Sequence, residues 1–91
     1  MNFPQLADQP RLSAFHMACT FPRDPEFRAF ICEHRGLSNV SADCAAHVIR
    51  EMCGIGSRNE LKGNIAAAHR FETLVRRPFV AYRDRINGEN R

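Results

Sequence analysis

The chain has 91 residues, 44% of them hydrophobic and 25% charged, with a formal net charge of +3. That length supplies one small hydrophobic core and not two, and the composition is that of a globular chain, not a disordered one. No apolar run approaches the roughly 20 residues that span a bilayer. Residues 1–6 lack the charged and apolar regions of a secretory signal, so the expectation is one soluble cytoplasmic domain over 1–91 with no membrane contact.

Residues 1–9 read as an N-terminal arm. Across 10–19, Leu12, Phe15 and Cys19 recur at spacings of three and four, the apolar stripe of a helix. The Phe21-Pro22 step ends it, because proline disfavours helical geometry in the residue before it. Asp24-Pro25-Glu26 opens a second helix: Asp24 caps, Pro25 is preset for the first helical position, and Glu26 suits the positive end of the dipole. Phe27, Phe30 and Ile31 form its buried stripe, and Gly36 takes the left-handed position that closes it. Ser41 caps a third helix over 42–53, with Ala45, Val48, Ile49 and Met52 on one face and Gly54 at its end. Ser57-Arg58-Asn59-Glu60 fits a capping box, but Lys62-Gly63-Asn64 breaks that helix within about two turns.

Asn64 caps the last and longest segment. Ile65, Ala68, Phe71, Val75, Phe79, Tyr82 and Ile86 repeat every three or four residues, so one apolar face runs through Pro78. A proline inside a helix removes a backbone bond and clashes with the preceding turn. The reading is therefore an all-α fold, a compact single domain of about five short-to-medium helices, with the last long and kinked or broken near Pro78. Residues 87–91 read as a frayed tail.

Charge is unevenly placed. Of 13 basic residues only Lys62 is a lysine, and over 1–69 basic and acidic groups cancel. Arg70, Arg76, Arg77, Arg83, Arg85 and Arg91 outnumber Glu72, Asp84 and Glu89 over 70–91, so the net charge lies in the last quarter. Arginine presents a planar fork of donors and sheds water more readily than lysine, which suits phosphate or an acidic protein surface.

Cys19, Cys32, Cys44 and Cys53 accompany His16, His34, His47 and His69. The best zinc-like subset is Cys32-x-His34 with Cys44-x-x-His47. No Cys-x-x-Cys knuckle or finger spacing supports it, and buried cysteine packs as a small hydrophobe, so the expectation is no metal and no cofactor. A disulfide framework lacks a secretory context. Cysteine–histidine pairs are numerous, but no spacing assembles a base, an orienting acid and an oxyanion hole, and Gly54-Ile55-Gly56 is too short for a phosphate cradle. The expectation is that the chain is not an enzyme. A helix-turn-helix over Ser41 to Lys62 fails because its second element is too short to serve as a recognition helix.

On the last helix, His69, Arg76 and Arg83 recur at seven residues, and Arg70, Arg77 and Asp84 form a neighbouring row with Thr73 and Val80 between. Arginine and tyrosine dominate many interfaces. Arg70, Arg76, Arg77, Val80, Tyr82 and Arg83 are therefore the expected partner-binding residues, with Tyr82 also on the apolar face.

The segments Cys53-Gly54-Ile55-Gly56-Ser57-Arg58-Asn59-Glu60-Leu61, Ala66-Ala67-Ala68-His69-Arg70-Phe71 and Arg77-Pro78-Phe79-Val80-Ala81-Tyr82 carry a resemblance. They resemble small helical accessory proteins encoded in the early and recombination regions of temperate phages, over roughly residues 24–86. The resemblance implies a non-enzymatic protein in the cytoplasm of a bacterial host. It would dock on a host nucleic-acid-processing complex, a recombination nuclease or a CRISPR-type defence effector, and inhibit or redirect it. No active-site residue carries over, and the basic C-terminal segment departs from inhibitors that mimic DNA with acidic surfaces. Two other classes stand beside it: direct binding of DNA or RNA through the same arginines, with a steep salt dependence, and a structural or assembly subunit. No heptad run indicates a coiled coil, and the sequence leaves the oligomeric state open.

Overall fold

The structure, a computed structural model, describes residues 10–89, and the side chains within 14–88. The expected arm over 1–9, the Leu12 side chain and residues 90–91 of the expected tail lie outside the described residues. Helix α1 spans Pro10–Thr20 and passes through a 3₁₀ turn, Phe21–Arg23, into α2, Pro25–Arg35. Helix α3 spans Ala42–Cys53, and a second 3₁₀ turn, Arg58–Lys62, leads to α4, Ile65–Arg70, a π-helical segment, Phe71–Arg76, and α5, Arg77–Glu89. No strand occurs among the described residues, and the fold is all-α as the sequence predicts.

Local chemistry explains each boundary. The Asp24 carboxylate accepts from the Glu26 N–H at 2.9 Å ahead of Pro25. Ser41 Oγ accepts from the Cys44 N–H at 3.0 Å, and Asn64 Oδ1 from the Ala67 N–H at 3.0 Å. Gly36 and Gly54 close α2 and α3 at φ +68° and +69°, a region that costs any residue with a Cβ. The Ser57–Glu60 capping box forms, with Glu60 Oε2 also accepting from the Gly56 N–H at 2.8 Å. Its helix is the 3₁₀ turn Arg58–Lys62, which holds Leu61 fully buried.

Helix α1 departs from the expected stripe. Among its described side chains Ala14 and Ala18 are buried, while Phe15 and Cys19 are half-buried. Small side chains let α1 settle against the Arg58–Lys62 turn and α4, where Lys62 Nζ lies 4.4 Å from the Phe15 ring centroid. Ile65 also departs: it is 65% exposed, because the core stripe of the last helix starts at Ala67 and Ala68. The helix continues through Asn87 and Gly88 to Glu89, past the point where the sequence predicts fraying.

The centre of the core is aromatic. The Phe79 ring centroid lies 5.0 Å from Phe21, 5.1 Å from Phe27 and 5.7 Å from Phe30. Phe21 also meets Phe27 at 5.0 Å and Phe71 at 5.8 Å. The steep ring angles against Phe21 and Phe27, 64° and 88°, place positive ring edges on negative faces. Phe71, Val75 and Phe79 are all fully buried on one helix face.

That face bears on the irregularity expected near Pro78. A spacing of four over-rotates an α-helix by about 40°, so Phe71, Val75 and Phe79 fan over about 80° in a regular helix, within the width of an apolar stripe. A wider π turn narrows that fan. Pro78 has no N–H to offer, and its ring crowds the carbonyl four residues back, so loosening the turns before it relieves that crowding. The Arg77 N–H accordingly donates to the Glu72 carbonyl, five residues back. The chain stays helical throughout: Phe71 and Arg77 keep right-handed dihedrals of −59°, −46° and −62°, −47°.

Phe79→Ala should therefore lower stability by about 3–5 kcal/mol, as a large ring leaves a packed core. Leu74→Ala, at an exposed position of the same helix, should stay within about 0.5 kcal/mol. Chemical denaturation followed by circular dichroism measures both.

Candidate functional site

The last helix holds the residues expected to meet a partner, and the structure gives most of them work inside the chain. Arg70 turns inward: its Nε donates to the Cys53 carbonyl at 2.7 Å, satisfying an end group of α3. Its guanidinium is so close that a Cβ on Gly54 would meet Nη2 at 3.6 Å. Arg83 is half-buried with its guanidinium carbon 5.2 Å from the Phe79 ring centroid, a cation–π contact. Val80 is half-buried, and Tyr82 leans on the core beside Phe30, ring centroids 5.6 Å apart.

Arg76 and Arg77 converge on one carboxylate. Arg76 donates to Glu72 through both Nε and Nη2, and Arg77 Nε donates to Glu72 Oε2 at 3.1 Å. An α-helix brings residues four apart onto one side; the π register is what also brings Arg77, five residues on, to Glu72. The Arg76 hydrogen bonds, with a smaller contribution from Arg77, outweigh the effect of burial and hold the Glu72 carboxyl below its usual range. The same pairing raises Arg76.

The π segment also breaks both expected rows. Seven residues make nearly two turns only in an α-helix, so His69 falls out of line with Arg76, and Arg70 with Arg77, across Phe71–Arg76. Beyond it, Arg76 and Arg83, and Arg77 and Asp84, keep their spacing within α5. The outward face consists of exposed Leu74, Arg77, Ala81, Asp84 and Gly88. Leu74 is 43% exposed, and the Arg77 side chain 66%. Leu74 is absent from the residues predicted from sequence. The repeated four-residue spacing of Phe71, Val75 and Phe79 is the signal that would have rotated it outward.

A second feature joins α2 to α5. Phe30, Glu33 and His34 face Tyr82 and Arg85 across a shallow groove of about 370 Å³. His34 stacks on Phe30 with centroids 5.5 Å apart and planes 28° apart. Arg85 Nη2 donates to Glu33 Oε2 at 2.9 Å and lies 5.5 Å from the Tyr82 ring centroid.

The four residues weighed for zinc are spread apart in role. Cys32 and Cys44 pack on the core, His34 lies on Phe30, and His47 Nε2 faces Glu51 at 3.4 Å, a carboxylate that Arg35 also approaches at 3.4 Å. Among the described residues no group of three or more His, Cys, Asp or Glu converges to hold a metal. Burial pushes the Cys53 thiol up to about 11, against a partial lowering by Arg70, which keeps it a weakly reactive thiol at neutral pH. No helix among the described residues is long and apolar enough to cross a membrane.

Compared with known protein families, curated proteins and solved structures, the chain matches none of them.

Two outcomes follow from these contacts. Arg70→Met should cost about 1–3 kcal/mol by leaving a carbonyl at the end of α3 without its charged donor. Arg70→Lys should not restore it, since lysine lacks the Nε donor; denaturation midpoints decide this. Glu72 has a folded-state pKa below its ordinary value of 4.5, so its contribution is fully present above that value and is lost as pH falls through the folded one. The stability gap between the wild type and Glu72→Gln should thus be largest near neutrality and close on acidification below about 4.5. Parallel pH titrations of the unfolding midpoint measure it.

Proposed function

We propose that this chain is a non-enzymatic docking protein of the phage-accessory kind. It binds a host nucleic-acid-processing complex in the bacterial cytoplasm and inhibits or redirects it by occupying a protein surface. The observation that carries this reading is the outward face of the last helix, where exposed Leu74 stands beside the largely exposed Arg77. An apolar anchor next to a guanidinium suits a protein surface with an apolar pocket and an acidic rim. Arg76, flanking this face and held by Glu72, offers a preset donor group to such a rim.

Direct binding of DNA or RNA is the second reading, and the pairing of the arginines weighs against it. Arg70 is committed to a carbonyl and Arg85 pairs with Glu33, while Arg76 and Arg77 share the single charge of Glu72 and stay net cationic. Phosphate binding through this segment would rest on that one surplus charge and Arg83, fewer cations than a dedicated nucleic-acid binder presents. The expected partner-binding set accordingly becomes Leu74, Arg76, Arg77 and Val80, with Arg83 at its border. Arg70 and Tyr82 act by holding the fold.

The test is affinity capture from bacterial lysate with tagged wild type and the double variant Leu74→Asp with Arg77→Glu, with and without nuclease. The expected outcome is a stoichiometric protein partner that survives nuclease and moderate salt. The double variant should reduce its recovery by at least about tenfold, a loss of roughly 1.4 kcal/mol, while its circular dichroism stays that of the wild type. Recovery unchanged by the double variant removes this face, and loss of every partner after nuclease favours nucleic-acid binding.

A further inference from the structure

The groove between α2 and α5 has a chemistry that the outward face of the last helix does not share. Phe30 is 5% exposed and forms its floor, with the His34 ring stacked on it and Tyr82 on the other side. Glu33 supplies a carboxylate at the rim. Aromatic faces carry negative quadrupole charge and attract cations. A carboxylate beside them adds a directional acceptor for a guanidinium fork. The molecule already displays this preference, since the group seated there is the guanidinium of Arg85, placed against Tyr82 and on Glu33 Oε2 at 2.9 Å.

The geometry points to a receptor site for an arginine side chain of a partner protein, with Arg85 as the internal occupant that the incoming guanidinium replaces on Glu33 and Tyr82. Space is present for it: the groove retains about 370 Å³ with Arg85 in place. That is the low end of small-ligand sites, which run from roughly 300 Å³ upward, and it suits one side chain. The ion pair to be exchanged is itself a weak one. The Arg85 and Glu33 side chains are 51% and 58% exposed, and pairs so exposed contribute little to stability. Charge complementarity selects the occupant. With Arg85 displaced, the groove presents Glu33 and three aromatic rings, which favours a cation over a phosphate or an acidic peptide. Arginine suits it better than lysine because its flat guanidinium stacks on a ring and forks onto a carboxylate at once. The site lies apart from Leu74 and Arg77, so it stands or falls independently of the proposed docking face.

The chain has one tyrosine, Tyr82, and no tryptophan, so its intrinsic fluorescence reports from this groove alone. The experiment titrates a blocked tripeptide with a central arginine into the full chain, with its lysine counterpart and a single-stranded oligothymidylate as comparisons. The expected result is a saturable change of tyrosine emission with the arginine peptide, weaker with lysine. Arg85→Ala should tighten binding at least about fivefold by removing the internal competitor, and Glu33→Gln should weaken it about tenfold by removing the charged acceptor. Both substitutions fall on exposed positions, and an unchanged circular dichroism spectrum checks the fold. A signal unmoved by the peptide in both wild type and Arg85→Ala would overturn the proposal. So would binding that is indifferent to Glu33→Gln or weakened by Arg85→Ala, or a response to the oligonucleotide in place of the peptide.

Discussion

The burial of Phe79 is the constraint on which the rest of this structure depends. Its ring lies within about 5–6 Å of Phe21, Phe27 and Phe30, which ties the last helix to α2 and to the 3₁₀ turn before it. The π segment brings Phe71 and Val75 closer into line with Phe79 on that buried side than a regular α-helix would, and Pro78 removes the backbone bond that would resist the widening. Its consequence is rotational: it turns Leu74 to solvent, brings Arg77 round to Glu72, and sets the phase of everything beyond it.

Arginine is the second organising element. Arg58 Nη1 donates to the Ala18 carbonyl at 3.0 Å, Arg70 Nε to Cys53 at 2.7 Å, and Arg28 Nη1 to Pro22 at 2.8 Å. Each of these carbonyls lies at or near the end of a helical element, where intrahelical donors run out and the dipole is negative. A planar guanidinium reaches such a group from a neighbouring element while losing less hydration than an ammonium. Part of the basic excess in the last quarter of the chain is therefore structural. What remains exposed is a narrow outward strip of mixed apolar and cationic character, the face on which the proposed docking rests.

The α2–α5 groove belongs to the same logic seen from the other side. Phe30 and Tyr82 meet because Phe79 draws the two helices together, and the groove beside them is lined by Phe30, His34 and Tyr82 with Glu33 and Arg85. A cation is the natural guest of such a lining, and Arg85 is positioned by its place one turn after Tyr82 to supply one. The proposed docking strip lies on the last helix and the groove between that helix and α2, and the two proposals ask opposite charges of a partner, the first an acidic rim and the second a guanidinium.

How much of this was legible beforehand depends on the range of the interaction. Caps and stops were: Asp24, Ser41, Ser57 and Asn64, with Gly36 and Gly54, mark helix ends through bonds that span a few residues, and the apolar spacing identified the buried faces of α2 and α3. The all-α class follows from those local signals. The buried side of α1 was not legible, because Ala14 and Ala18 matter through how closely another element approaches them. Nor was the role of Arg70, seventeen residues from the carbonyl it serves, or the pairing of Arg85 with Glu33 across fifty-two. The candidate site was half legible: Arg76, Arg77 and Val80 lie where helical spacing placed them relative to one another, while Leu74 came into view only once the turn had widened. By itself the sequence determined where helices start, stop and present apolar faces, since those depend on neighbours along the chain. The tertiary structure alone decided which arginines are spent inside and which face looks outward, because both depend on what the Phe79 cluster brings together.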